Sequence, residues 1–274
     1  MRINTNIMAL NAQNKLTGNQ GKVEGSIKKL SSGLRINGAA DDASGLAISE
    51  KMRAQIRGLN QAQSNAQDGI SMIQTAEGAL QQTTDILQRM RELVVKAENT
   101  GVLTSQDQAS ITTELTSLKD EIDRIAESTT FNTKKLLNGN LGTNGATFKI
   151  GANTDAVDSI TVTIGSMKSA DLGVTIDITT AENAKTALTN LDTAINRVST
   201  QRAKLGAVQN RMEYAIENLS TTSENLTAAE SRIRDVDMAS EMVSYTKNSI
   251  LNQSAMAMLA QANQQPQQIL SLLS

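Results

Sequence analysis

The side chains able to do chemistry in this chain fall into three charged groups: Asp41 with Asp42; Asp120, Glu121 and Asp123 beside Lys119 and Arg124; and Arg232, Arg234, Asp235 and Asp237. A carboxylate pair performs acid/base catalysis when both groups converge on one substrate atom. Asp41 and Asp42 are chain neighbours at what reads as a helix start, where they suit capping of free backbone N–H groups and do not converge. The second group lies in a helical pattern and reads as a solvated face. The third reads as ion pairs, either within the chain or between copies.

Absent residue types remove most other chemistry. With no Cys, His or Trp in 274 residues, thiol catalysis, disulfides, imidazole acid/base work and the usual zinc sites are excluded, and a conventional enzyme is not expected. No cofactor is expected. Lys plus Arg number 26 against Asp plus Glu 28, so no basic field exists to hold nucleic acid. No run of 18 apolar residues and no signal-peptide apolar core is present, so no membrane span and no cleaved leader are expected.

The elements that position these residues are mostly helical. Aromatics make up 1% and Pro occurs once, which suits long uninterrupted helices better than an aromatic globular core. Met52, Leu59, Ala66, Ile73, Leu80, Leu87 and Val94 recur every seventh residue, and so do Leu191, Val198, Leu205, Met212, Leu219, Leu226 and Ile233. Two stripes of equal length imply helices over 45–98 and 181–236 packed antiparallel in a coiled-coil-like manner, with a shorter helix over 107–127 closing a bundle. Between them, Ala146–Ile150, Ser159–Ile164 and Val174–Ile178 alternate apolar and polar residues and predict a small hairpin or meander.

The chain ends carry weaker seams. Ile3, Ile7, Leu10, Leu16, Val23, Ile27 and Leu30 step along one side of an N-terminal helix; Met238, Met242, Tyr245, Leu251, Ala255, Met258 and Ala262 do so at the other end, and the two are expected to pair. Such a pair buries too little surface alone to offset its ordering cost, so it is expected to order fully when neighbouring copies cover it. Between the first two helices, Leu30–Glu50 reads as a joint: Asn37-Gly38 is a turn dipeptide, Gly33 and Gly45 loosen the backbone, Asp41, Asp42 and Ser44 suit a helix start, and its chain partner is expected at the crossing around Arg234–Met238. The expected fold is mainly α: an elongated antiparallel bundle with a small β-hairpin insertion and paired terminal helices. Its parts are residues 1–40, a helical core over 41–236 with an insertion over 139–180, and residues 237–274.

Several segments carry a more specific resemblance. MRINTNIMALNAQNKL, KLSSGLRIN, DDASGLAISEKMRAQIRG, DGISMIQTAEGAL, QRMRELVVKA, RAKLGAVQNRMEYAIENL, SENLTAAESRIRDVDMASEM and MLAQANQQPQQILSLL together resemble bacterial flagellin, the flagellar filament subunit, in a short Bacillus-like form without large outer domains. The resemblance covers about two thirds of the chain. It implies an extracellular helical homopolymer serving swimming motility, exported through the flagellar type III apparatus. In that polymer Ile3, Ile7, Leu10, Val23, Ile27, Leu30, Leu251 and Met258 would serve the inner coiled coil and subunit packing. Gly33, Asn37, Gly38, Asp41 and Asp42 would form a connector between filament layers.

The resemblance also implies partners: an export chaperone on the C-terminal helix, a FliW-type assembly regulator, and the filament cap and hook-junction proteins. Arg89, Leu93 and Glu114 match positions for Toll-like receptor 5, on a face that also meets the next subunit. A chemoreceptor-like signalling hairpin shares the heptads but would need membrane spans and a tight tip. Flagellins with protease activity carry an inserted HExxH domain, and this chain has no His.

Overall fold

Sevenfold repetition of apolar residues sets the architecture. The computed structural model describes residues 6–99, 101, 103–143, 145–153 and 155–273, so Ile3 of the N-terminal seam lies outside the described residues. In chain order the elements are α1 (Ile7–Ser32), α2 (Ala43–Glu98), α3 (Ser105–Ser128), β1 (Thr130–Phe131), β2 (Lys134–Lys135), α4 (Asn140–Thr143), β3 (Ala146–Lys149), β4 (Ser159–Val162), α5 (Ser169–Leu172), α6 (Ala181–Arg234) and α7 (Met238–Leu273). They form two compact units, Ile56–Ser223 and Met1–Gln55 with Glu224–Ser274. Sequence division at 40/41 and 236/237 follows the helix breaks. Division by packing falls inside α2 and α6, because an unbroken helix can serve different partners along its length.

In the Ile56–Ser223 unit the stripes pack as their spacing demands. Ala66, Ile73, Leu80, Leu87 and Val94 of α2 and Leu191, Val198, Leu205 and Met212 of α6 are at most 2% exposed. Each large apolar side chain removed from water this way contributes about 1.5–3 kcal/mol before conformational entropy is counted. Cross-helix bonds fix the antiparallel sense, since partner numbers fall along α6 as they rise along α2: Ser223 Oγ to Asn60 Oδ1 at 3.0 Å, Arg202 to Glu77 at 3.6 Å, Arg91 to Asp192 at 2.8 Å. The third helix, α3, starts with a capping box in which Thr104 and Asp107 satisfy each other's backbone N–H. It buries Ile111, Leu115, Ile122 and Ala126.

Two hairpins complete this unit. Strands β3 and β4 pair antiparallel with Ala146 opposite Val162 and Lys149 opposite Ser159, and Ile160, Val162 and Ile164 point into the helical core. The two-residue hairpin β1/β2 was not expected. Its central residues Asn132 and Thr133 have φ of 46° and 66°, the backbone of a tight hairpin turn that usually takes Asn-Gly. The expected third strand, Val174–Ile178, does not form. Val174 and Ile178 are buried and Thr175 and Asp177 exposed, so the alternation is met by packing of extended chain against the core, without a ladder.

The other unit is built differently. Helices α1 and α7 run antiparallel, with Asn6 Nδ2 donating to Ala262 O at 2.7 Å and Lys29 lying 3.9 Å from Glu241. The more sheltered line on α1 is Leu16, Asn19, Val23, Ser26 and Leu30; on α7 it is Tyr245, Asn248, Asn252, Ala255, Leu259 and Ala262. Both lines step by three and four, the spacing of a coiled-coil seam. They are rich in Asn, Ser and Ala.

Candidate subunit interface

Many apolar residues of α1 and α7 lie outside their mutual seam, which itself holds Leu16, Val23, Leu30, Tyr245 and Leu259. Ile7 is 62% exposed, Leu10 54%, Ile27 49%, Leu251 43% and Met258 61%, whereas Val23 and Leu30 are half-buried against the partner helix. Of these seven described residues, Val23 and Leu30 shelter against the partner helix and the other five face outward. Of fifteen exposed large hydrophobic residues among those described, four lie on α1 and seven on α7. That concentration marks a candidate docking surface, unlike the scattered apolar residues of any protein surface. Met242, Val243, Thr246, Lys247 and Ile250 line an open groove of about 410 Å³ on it.

The joint beside this face is held mainly by backbone and carboxylate bonds. Gly33 closes α1 with φ 71°, a left-handed C-cap that a side chain would strain, and its N–H reaches Lys29 O. Gly38 has open space and no left-handed φ, so the two connector glycines are not equivalent. Asp41 Oδ2 accepts from Asn37 N at 3.0 Å and Gly38 N at 3.1 Å. These two amide dipoles, more than the nearby Lys28 and Lys29, hold the Asp41 carboxyl below its usual pKa of 3.8. Asn37 donates its amide to Ser32 Oγ at 2.8 Å. Asp42 Oδ1 accepts from Gly45 N at 2.9 Å and caps α2. Gly45 must be small, because a Cβ there would meet Asp42 and Ile36.

The joint is clasped by the opposite end of the chain. Arg35 N donates to Arg234 O at 2.6 Å and Val236 N to Gly33 O at 3.0 Å, flanking a bridge of Leu34 to Asp235. Arg35 also donates its guanidinium to Ile233 O at 2.5 Å. Beside the clasp, the buried Ser49 and the partly exposed Arg53 both donate to Glu230 Oε1, at 3.0 and 2.6 Å, and Arg234 pairs with Glu50 at 2.8 Å. Asp237 accepts from Ala239 N and Ser240 N and caps α7. Arg234 and Asp237 are therefore engaged within the chain.

The remaining candidates separate. Arg89 pairs with Glu114 at 3.0 Å and Glu92 at 3.2 Å, an exposed cluster that raises the arginine pKa further, Glu114 first. Leu93 is 4% exposed and belongs to the core, so a surface patch of Arg89, Leu93 and Glu114 is corrected to the two charged residues; Leu93 sits on the inward side of the same helix. Asp123 also departs from the expected solvated face: it accepts from Ser169 N at 2.8 Å and Ser169 Oγ at 2.7 Å, tying α5 to α3. A cleft of about 450 Å³ beside α5 and α6 is polar, but Arg197 donates to Asp171 O and Gln201 to Thr163 O. Those groups are spent on the chain itself. Among the described residues no acidic cluster has metal-binding geometry, and no helix is long and apolar enough to cross a membrane.

Comparison with known proteins agrees with this arrangement. Residues 3–141 match the bacterial flagellin N-terminal helical region and residues 188–273 the bacterial flagellin C-terminal helical region. The chain is 54% identical to a flagellin of Bacillus subtilis and 51% identical to a flagellar filament 30.7 kDa core protein of Treponema maltophilum, each aligned over 100% of both chains. The structure of a putative flagellar hook-associated protein from Vibrio parahaemolyticus covers 71% of this chain and 100% of its own, with a TM-score of 0.59 at 16% identity, a likeness of fold. Two family regions bracketing the molecule, together with full-length relatives, place this chain in the bacterial flagellin family.

Proposed function

We propose that this chain is a structural subunit that polymerises into the extracellular flagellar filament, and that the outward apolar faces of α1 and α7 are the surfaces buried between copies. As a flagellin it is a structural protein and not an enzyme. The observation that carries the reading is the apolar surplus of the terminal pair: beyond the Leu, Val and Tyr that the intrachain seam shelters, eleven of the fifteen exposed large hydrophobic residues among those described lie on α1 and α7. A chain folding only for itself would leave fewer of them in solvent. Further copies of the same chain suit this face because it lies on both termini and repeats along them, as an isologous or helical contact requires. The helical core supports a scaffold role, and the joint supports a connector between inner and outer layers.

Several finer elements belong to the same reading. Export through the flagellar type III apparatus and folding of the termini on assembly suit helices whose mutual seam is weak. The export chaperone is assigned to the exposed face of α7. A FliW-type regulator, the filament cap and hook-junction proteins follow from family membership. Recognition by Toll-like receptor 5 is assigned to Arg89 and Glu114. Two experiments test the core claim. Negative-stain microscopy of purified protein added to filament seeds should show long tubes, and a chain lacking Ser240 to Ser274 should stay soluble without forming them. Protease should trim the monomer near the joint and near Arg234 to Met238, and spare the polymer. Tubes from the truncated chain, or termini as resistant in the monomer as the core, would overturn it.

A further inference from the structure

We propose that methionine oxidation decides whether a free subunit can enter the polymer, with Met8, Met238, Met242, Met256 and Met258 as the modification sites. The proposal rests on the assembly reading above and goes beyond it. Its basis is a partition of the methionines. Those five, all on α1 and α7, are 60%, 49%, 47%, 50% and 61% exposed, while Met72, Met90, Met167 and Met212, all in the Ile56–Ser223 unit, are 5%, 0%, 6% and 0% exposed. Met52 is half-buried. With no cysteine in the chain, the exposed thioethers are its most readily oxidised groups.

Hydrogen peroxide is the oxidant. The thioether sulfur attacks one peroxide oxygen, an S–O bond forms as the O–O bond breaks, sulfur loses two electrons, and the second oxygen leaves as water. The product replaces a soft apolar side chain by a polar one. In the free subunit that change costs little, because the sulfoxide oxygen keeps its water. Under a neighbouring copy the same oxygen must be desolvated without a partner. The four methionines in the core are shielded throughout, so oxidation switches off assembly without unfolding the scaffold. Reduction by a thiol-dependent sulfoxide reductase returns the sulfide, releases the oxygen as water and oxidises two thiols to a disulfide.

The test exposes monomer and finished filament separately to hydrogen peroxide and maps added oxygen by peptide mass spectrometry. In the monomer the five terminal methionines gain oxygen and Met72, Met90, Met167 and Met212 do not; in the filament the terminal five are spared. Oxidised monomer elongates seeds about tenfold more slowly or not at all, keeps its helical circular dichroism, and recovers after treatment with sulfoxide reductases. A subunit with all five changed to Leu elongates equally before and after peroxide. If that variant fails to elongate before oxidation, reductase rescue of the natural chain decides. Elongation by fully sulfoxidised monomer within twofold of the untreated rate, absence of rescue, or equal oxidation of filament and monomer overturns the proposal while leaving the assembly reading intact. Failure of untreated protein to elongate seeds overturns the assembly reading itself, and this proposal with it.

Discussion

Truncating one apolar side chain on α7 and one in the bundle core should have opposite consequences for the free subunit and the polymer. Leu205 is 1% exposed and Ile250 is 56% exposed. Leu205→Ala leaves a cavity in the packed core and should cost about 2–5 kcal/mol, a clear fall in the monomer's melting temperature. Ile250→Ala removes a side chain that already sees water over more than half its surface, and Ala's better helix propensity offsets part of the loss; the monomer should change by under about 1 kcal/mol.

In the filament the balance reverses. Covering the 56% of Ile250 that is still exposed should supply about 1–1.5 kcal/mol per subunit, this share of the usual value for a fully buried aliphatic side chain. Its loss should raise the critical concentration for elongation roughly fivefold to tenfold, since about 1.4 kcal/mol corresponds to a factor of ten. Circular dichroism melting of the monomer and sedimentation of seeded filaments over a dilution series measure the two quantities. A monomer destabilised by Ile250→Ala as much as by Leu205→Ala, together with an unchanged critical concentration, would show that the α7 face is an internal surface and not one shared between copies.

The joint and the hairpins give three more tests. Gly33→Ala forces a side chain into the left-handed region and should cost about 1–2 kcal/mol, whereas Gly38→Ala should be nearly neutral; protease cleavage rates at residues 33–42 separate them. Asp41 has a folded pKa below its unfolded 3.8, so its contribution is fully present above the unfolded value and is lost as pH falls through the folded one. Protection of the Asn37 and Gly38 amides, read as hydrogen exchange relative to the intrinsic rate at each pH, should fall below about pH 4, and Asp41→Ala should lower it across the pH range. Thr133 occupies a position with φ 66° that glycine adopts freely, so Thr133→Gly should stabilise the subunit by about 1 kcal/mol; a lower melting temperature would contradict the strain argument.

What could be read from the chain alone depended on whether the answer lay within the chain. The stripes from Leu59 to Val94 and from Leu191 to Leu219 were legible because each is covered by other residues of its own sequence, and burial follows spacing. Ile7, Leu10, Ile27, Leu251 and Met258 have the same spacing signature, yet they are not covered within the subunit. Periodicity locates an apolar face and does not say which copy buries it. Val174–Ile178 misled because alternation reports which side chains turn inward and not whether the backbone finds a ladder. The β1/β2 hairpin was hidden because its turn carries Thr133 where the usual signal is glycine. Leu93 was placed by resemblance among surface residues, but one helical position separates an exposed face from a buried one. The clasp between Gly33–Arg35 and Arg234–Val236 lies where the joint's chain partner was expected, around Arg234–Met238, although its mainly backbone bonds leave little mark in residue type.

That clasp has a consequence for the order of events during synthesis and passage through any narrow conduit. Its two strands are separated by about two hundred residues, so the N-terminal one must wait until nearly the whole chain has emerged before its partner exists. Until then Gly33–Arg35 has donors and acceptors with nothing to meet, and the joint cannot take its final form. Closure therefore reports that the chain extends to Val236: a chain cut short before Arg234 lacks the second strand, however well its early helices form. A feature of only a few bonds in this way separates a chain that carries both long helices through to Val236 from any shorter fragment.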